Sequence, residues 1–164
     1  MLEPFEIKLA RQQQASEIAL LLRRSIIELC TRDHRGDAES YLPWVQNKTP
    51  ENVKAWIAKE GAFLTAETSQ GTVLGVAMAS QAGEVLLNYV LPEARFRGVS
   101  RALMAELEGY LRASCGAGHV YLTSSRTAER FYRSLGYTVY GEAVIRKNMT
   151  FRRFRKRISH AQAV

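Results

Sequence analysis

Val85-Leu86-Leu87-Asn88-Tyr89-Val90-Leu91-Pro92-Glu93-Ala94-Arg95-Phe96-Arg97-Gly98-Val99-Ser100-Arg101-Ala102-Leu103 is the stretch on which the fold turns. From Val85 to Leu91 it is apolar at nearly every position, which predicts a strand buried on both faces, hence a central one. Pro92 ends it. A short basic loop follows, then Gly98 and a helix over 98–115 with Leu103, Leu107, Tyr110 and Leu111 facing inward. The unpaired N–H groups at a helix N-terminus bind anions, and the helix dipole adds to this. Gly98 lets a ligand approach the backbone closely, and Arg95, Arg97 and Arg101 bring positive charge to the same place. The passage predicts a phosphate or pyrophosphate site. It is neither the Gly-x-Gly-x-x-Gly of a dinucleotide fold nor a P-loop, since the Lys-Ser/Thr pair is missing.

Outward from this centre the chain reads as alternating elements. Phe5 to Ala10 alternates as a short strand. Ser16 is the expected cap of a helix whose stripe is Ile18, Leu21, Leu22, Ser25, Ile26 and Leu29. Residues 34–48 read as irregular. Thr49-Pro50-Glu51 opens a second helix with Val53, Trp56 and Ile57 inward. Ala62 to Glu67 and Thr72 to Ser80 form a hairpin about a turn at Thr68-Ser69-Gln70-Gly71. Beyond the 98–115 helix come a strand at Val120 to Leu122, a helix over 127–135 stopped by Gly136, and strands at Tyr137 to Tyr140 and Val144 to Phe151. This order predicts one α/β (α+β) domain over residues 1–151: a mixed, mostly antiparallel sheet of six to seven strands flanked by about four helices.

Composition narrows the rest. At 164 residues, 46% hydrophobic and 24% charged, the chain is one ordinary globular domain by size and content. No apolar run approaches the roughly 20 residues of a membrane span, and no secretory leader is read at the N-terminus, so no membrane partner is expected. Cys30 and Cys115 cannot make a disulfide framework and are read as reduced thiols of a cytoplasmic protein. Cys30 and His34 stand four apart with no further ligand, so no metal is expected. The net charge of +7 is local: residues 146–157 hold seven basic side chains and no acid, and the remainder balances. Residues 152–164 are read as a basic C-terminal tail, open to being a solvated end, a phosphate-binding arm or a membrane-surface contact. Nucleic acid is the least favoured partner, because the body is neutral.

A second passage, Ser124-Ser125-Arg126-Thr127-Ala128-Glu129-Arg130-Phe131-Tyr132-Arg133-Ser134-Leu135-Gly136-Tyr137, lies on the next strand–helix–strand turn. Together the two passages resemble the GNAT superfamily of acetyl-CoA-dependent N-acetyltransferases. Its Arg/Gln-x-x-Gly-x-Gly/Ala motif is matched by Arg95-Phe96-Arg97-Gly98-Val99-Ser100, with Ser at the last position. Its Asn-x-x-Ala-x-x-Phe-Tyr-x-x-x-Gly-Phe/Tyr motif is matched from Ser125, which stands where Asn is common.

The resemblance implies a central strand splayed from its neighbour, with pantetheine in the gap near Tyr89 and Val90. The pyrophosphate would rest on the loop of Arg95, Arg97, Gly98, Val99, Ser100 and Arg101, with Ser125, Ala128 and Tyr132 completing the cofactor site. It implies acetyl-CoA as acetyl donor, with a small amine or peptide amine as acceptor and direct attack on the thioester. Tyr132 would be the general acid for the departing thiolate, and a backbone N–H near Val90 the oxyanion donor. For the base, Glu84 lies six residues before Val90, an even separation that can put both on one face; a solvated glutamate beside Gly83 is the alternative. Asp33 and His34 fall where the family builds its substrate wall, and the acids Asp33, Asp37 and Glu39 would suit a cationic amine. A homodimer is compatible with this reading. A non-catalytic acyl-CoA-binding module of the same fold is the competing one, and retention of Tyr132 argues against it.

Overall fold

Strand alternation and turn chemistry build the molecule much as the sequence predicts, and a computed structural model describes residues 3–158. In chain order the elements are β1 (Phe5–Leu9), α1 (Ala15–Leu29), α2 (Thr31–His34), α3 (Ala38–Val45), α4 (Pro50–Ile57), β2 (Ala62–Thr68), β3 (Val73–Ala79), β4 (Glu84–Val90), α5 (Val99–Ser114), β5 (His119–Ser124), α6 (Glu129–Ser134), β6 (Thr138–Val139), β7 (Val144–Arg146) and β8 (Met149–Arg157). The strands form one sheet in the order β1-β2-β3-β4-β5-β8-β6, with β7 also against β8. Every pairing is antiparallel except β4 with β5. The architecture is a mixed, mostly antiparallel α/β domain, with eight strands and six α-helices among the described residues where six to seven and about four were expected.

Helices cover the two faces unequally. Leu103, Met104, Leu107 and Leu111 of α5 pack with Val85, Val120, Leu122, Phe154 and Tyr132 on one face. Ile18, Leu21 and Leu22 of α1, with Val53 of α4, pack on Val76, Met78 and Leu87 on the other. The central strands β2 and β3 are buried along their whole length. No helix among the described residues is long and apolar enough to cross a membrane.

Three expectations change. The stretch read as irregular holds α3, and a short α2 runs up to its first residue, His34. Asp37 caps α3 by accepting from Glu39 N and Ser40 Oγ, and Pro43 lies inside this short helix, where it has no N–H to offer the Glu39 carbonyl one turn back. Ser16 does not cap α1; a 3-10 turn over Gln12–Gln14 leads in, and Gln14 Oε1 accepts from Arg11 N at 2.8 Å. The boundary at residue 151 also gives way, because β8 runs on to Arg157 and pairs with all of β5. Phe154 and Ile158 lie in the core. Arg152 reaches Glu129, and Lys156 reaches Glu108 at 3.0 Å. The positive charge therefore belongs largely to a sheet strand. The rest of the expected tail, residues 159–164, lies outside the described residues.

Candidate active site

The site begins where β4 and β5 part. They are paired only at Glu84–Tyr121 and Val85–Leu122, and from there a gap opens. On the other side of β4, Leu91 N donates to Leu74 O at 2.8 Å. Strand alternation therefore turns the backbone N–H and C=O of Asn88 and Val90 away from β3, into the gap. These groups form an open polar edge inside the protein, ready to pair with a ligand that carries amides of its own.

One cavity, of about 680 Å³, lies on the α5 side of this gap. Tyr89, Val90, Arg95, Gly98, Val99, Ser100, Arg101, Ser125, Ala128 and Tyr132, all expected cofactor residues, line it; Arg97 does not. Gly98 opens α5 at φ +81°, a conformation that favours glycine, and a Cβ there would meet nothing within 4 Å. The N–H groups of Gly98, Val99, Ser100 and Arg101 have no partner among the described residues. No acid stands in the first turn of α5. Four free donors, a helix dipole and open space thus coincide, and the residues present fit a pyrophosphate. Phe96, beside them, is 90% exposed, with the Arg95 guanidinium 4.6 Å above its ring.

A second cavity, of about 380 Å³, lies beyond the gap, between α3, β4 and the β7–β8 hairpin. Its walls include Pro43, Trp44, Leu87, Met149 and Phe151, with Lys48, Glu84, Arg146 and Lys147 as the charged members. Trp44 packs edge-on against Phe151 and donates from Nε1 to Tyr89 Oη at 3.3 Å.

The two cavities share Asn88, Tyr89, Ser125, Ala128 and Tyr132. Tyr132 is buried, its ring set against Phe131 and Tyr137. Asn88 Nδ2 donates to its hydroxyl at 3.1 Å, so the hydroxyl's own proton remains available. Burial pushes the Tyr132 phenol up to about 12, with the Asn88 hydrogen bond opposing, so it is protonated throughout the neutral range. Burial also raises the Tyr89 phenol. It raises the Cys30 thiol in the first cavity's wall to about 12, with Asp33 adding to the effect. Asn88 Oδ1 is buried and has no partner among the described residues, an acceptor waiting at the junction. Asn88 was not among the expected site residues, although a lone polar side chain inside an apolar run was the signal for it.

The residues expected in the substrate wall do other work. Asp33 is buried and accepts from Arg126 N (2.6 Å), Thr127 N (3.2 Å) and Thr127 Oγ1 (2.6 Å). It ties α2 to the loop that presents Ser125 and Ala128. His34 is fully enclosed: Nδ1 accepts from Gly36 N, which leaves Nε2 to donate to Ile26 O, both at 2.9 Å. Neither lines either cavity, because their polar atoms are consumed in holding the backbone. Glu84 does line the second cavity, but not on the face of Val90. A bulge between the pairs Met78–Leu87 and Ala79–Val85 adds one residue to β4 and reverses the parity. Val85 and Val90, five apart, consequently pack into the same cluster. Glu84 is exposed, four residues from Asn88 along a strand, about 13 Å. Among the described residues no group of three or more His, Cys, Asp or Glu side chains could hold a metal.

A family model described as the acetyltransferase (GNAT) domain matches residues 30–158. Among solved structures, a GCN5-related N-acetyltransferase from Rhodopseudomonas palustris superposes with a TM-score of 0.84 at 21% identity, covering 96% of this chain and 99% of that one. The PaiA N-acetyltransferase of Thermoplasma acidophilum, in complex with coenzyme A, gives 0.75 at 18% identity, over 94% and 99%. YncA of Salmonella typhimurium, with its cofactor acetyl-CoA, gives 0.68 at 18% identity, over 98% of both chains. At these identities the structural likeness speaks for the fold alone. No curated protein matches the chain.

Proposed function

The chain belongs to the GNAT acetyltransferase family, and we propose that it is a cytoplasmic, acetyl-CoA-dependent N-acetyltransferase that acts on a primary amine by direct attack. The observation that carries this reading is the junction. A cavity bordered by free helix N–H groups meets a second cavity at Asn88 and Tyr132, inside the gap between β4 and β5. When bound, acetyl-CoA supplies an acetyl thioester already activated toward an amine.

The N–H groups of Gly98 to Arg101, with the Arg95 and Arg101 guanidinium groups, hold the pyrophosphate. The edge of β4 at Asn88 and Val90 would pair with the pantetheine amides, and the Val90 N–H is the donor that would face the thioester carbonyl oxygen. Asn88 Oδ1 accepts an N–H of the acceptor amine and thereby fixes its approach. Asn88 Nδ2 holds the Tyr132 hydroxyl oxygen and leaves its proton free, so that Tyr132 would be the donor to a leaving thiolate. The acceptor arrives as an ammonium and must lose a proton first. Glu84 is the acid in the acceptor cavity, and at its distance it works through water.

Two measurements test this. Acetyl-CoA and CoA should raise the melting temperature in a saturable way, and NADH should not. A panel of amines should include members that release free CoA thiol. A stabilising shift with no thiol release from any amine, amino acid, polyamine or peptide would leave a non-catalytic acyl-CoA-binding module. Absence of any shift at millimolar acetyl-CoA would refute the cofactor assignment.

A further inference from the structure

Lys48 lies in the wall of the acceptor cavity with only 9% of its surface exposed, yet its ammonium donates to the neutral amide of Asn47 (2.8 Å). No carboxylate among the described residues pairs with it, nor with Arg146 or Lys147 in the same wall. A buried, unpaired ammonium is costly, and chains retain few of them. Burial, and then the neighbouring Arg146, pull the Lys48 ammonium down to about 8. The lining sets three cations against one exposed acid, Glu84, at the start of β4. The acids that would have favoured a cationic acceptor are elsewhere: Asp33 is bonded to the 126–127 loop, Asp37 to the start of α3, and the exposed Glu39 lines neither cavity.

Accepting the acetyltransferase reading on which this rests, we propose that the acceptor is a small amine that also carries an anionic group, a carboxylate or a phosphate, seated against Lys48 and Arg146. Only one end of such a molecule needs to be neutral at the junction; the other supplies the counter-charge that the described residues do not. The cavity of about 380 Å³ suits a small molecule rather than a polymer. Pro43, Trp44, Leu87, Met149 and Phe151 give it an apolar wall, so an aliphatic or aromatic body between amine and anion is accommodated. Polyamines and simple alkylamines are disfavoured by like-charge repulsion and by leaving Lys48 unpaired.

The test uses the intact protein and matched pairs: leucine against leucinamide, 6-aminohexanoate against hexylamine, and phosphoethanolamine against ethanolamine. Free CoA thiol release gives kcat/KM for each, and calorimetric titration into the CoA-saturated protein gives affinity without turnover. The anionic member of at least one pair should be preferred about tenfold or more, and which pair responds separates carboxylate from phosphate. Lys48→Met and Arg146→Ala should each shrink that preference about tenfold. Equal or reversed preference in every pair overturns the proposal, by turnover or by binding, and so does a preference that both variants leave intact. Failure of the acetyltransferase reading would look different: acetyl-CoA itself would not bind, or amines would bind without thiol release.

Discussion

Replacing Tyr132 by Phe isolates the proposed acid. The ring packs against Phe131, Tyr137 and Phe154, and phenylalanine keeps those contacts. Only the hydroxyl is lost, and its one partner among the described residues is Asn88 Nδ2 at 3.1 Å. Loss of that single bond costs about 1 kcal/mol, or roughly 2–4 °C in a domain of this size. The first cavity otherwise keeps its lining, so acetyl-CoA affinity should stay within about twofold. Turnover should fall by something like 10²–10⁴, the usual range for a general acid. Unchanged cofactor affinity with reduced kcat marks an interaction made mainly in the transition state. The assay is single-turnover thiol release with a confirmed acceptor, beside calorimetry with acetyl-CoA. A variant that turns over within about twofold of the parent, where chemistry limits the rate, would refute the role and return Tyr132 to a packed helix aromatic.

Gly98→Asp should abolish acetyl-CoA binding in a folded protein, since its side chain enters open space at the helix N-terminus and sets a carboxylate against the phosphates; normal affinity by calorimetry would dismiss the cradle. Asp33→Ala strips three hydrogen bonds from the 126–127 loop and should cost about 2–4 kcal/mol and weaken acetyl-CoA, with Asp33→Asn recovering part of both. A denaturant midpoint equal to the parent's would contradict that. Ending the chain at Phe151 removes the buried Phe154 and Ile158 and the partner of β5; circular dichroism should find no cooperative unfolding, and a stable truncated domain would restore the tail reading. Lys48, charged at a cost below about pH 8 in the folded state and below about 10.5 in the unfolded one, binds more protons when unfolded, so stability should rise with pH between these values. Lys48→Met should accordingly raise the melting temperature at pH 7, with the gain fading toward pH 10.5. No gain at pH 7 would mean that the ammonium is not desolvated.

Local chemistry was legible where one segment alone sets it. The apolar run before Pro92, the arginines about Gly98 and the cap at Thr49 each depend on neighbours in sequence, and β4, the N-terminus of α5 and α4 form where they predict. The Arg152–Arg157 stretch misled because charge reads as solvent. Strand alternation places Phe154 in the core, and Arg152 and Lys156 meet carboxylates of α6 and α5 that only the folded sheet brings near. Asp33 and His34 misled in the opposite sense. Their polar atoms look free in sequence, yet backbone groups as distant as Arg126 consume them. One bulge in β4 undoes the parity that joined Glu84 to Val90, because a single extra residue reverses every side chain on one side of it. A sequence of residues determines which chemistry a chain can hold. The parting of β4 from β5, the meeting of two cavities at Asn88 and Tyr132, and the burial of Lys48 with no counter-charge among the described residues depend on contacts between remote segments, so only the tertiary structure decided them.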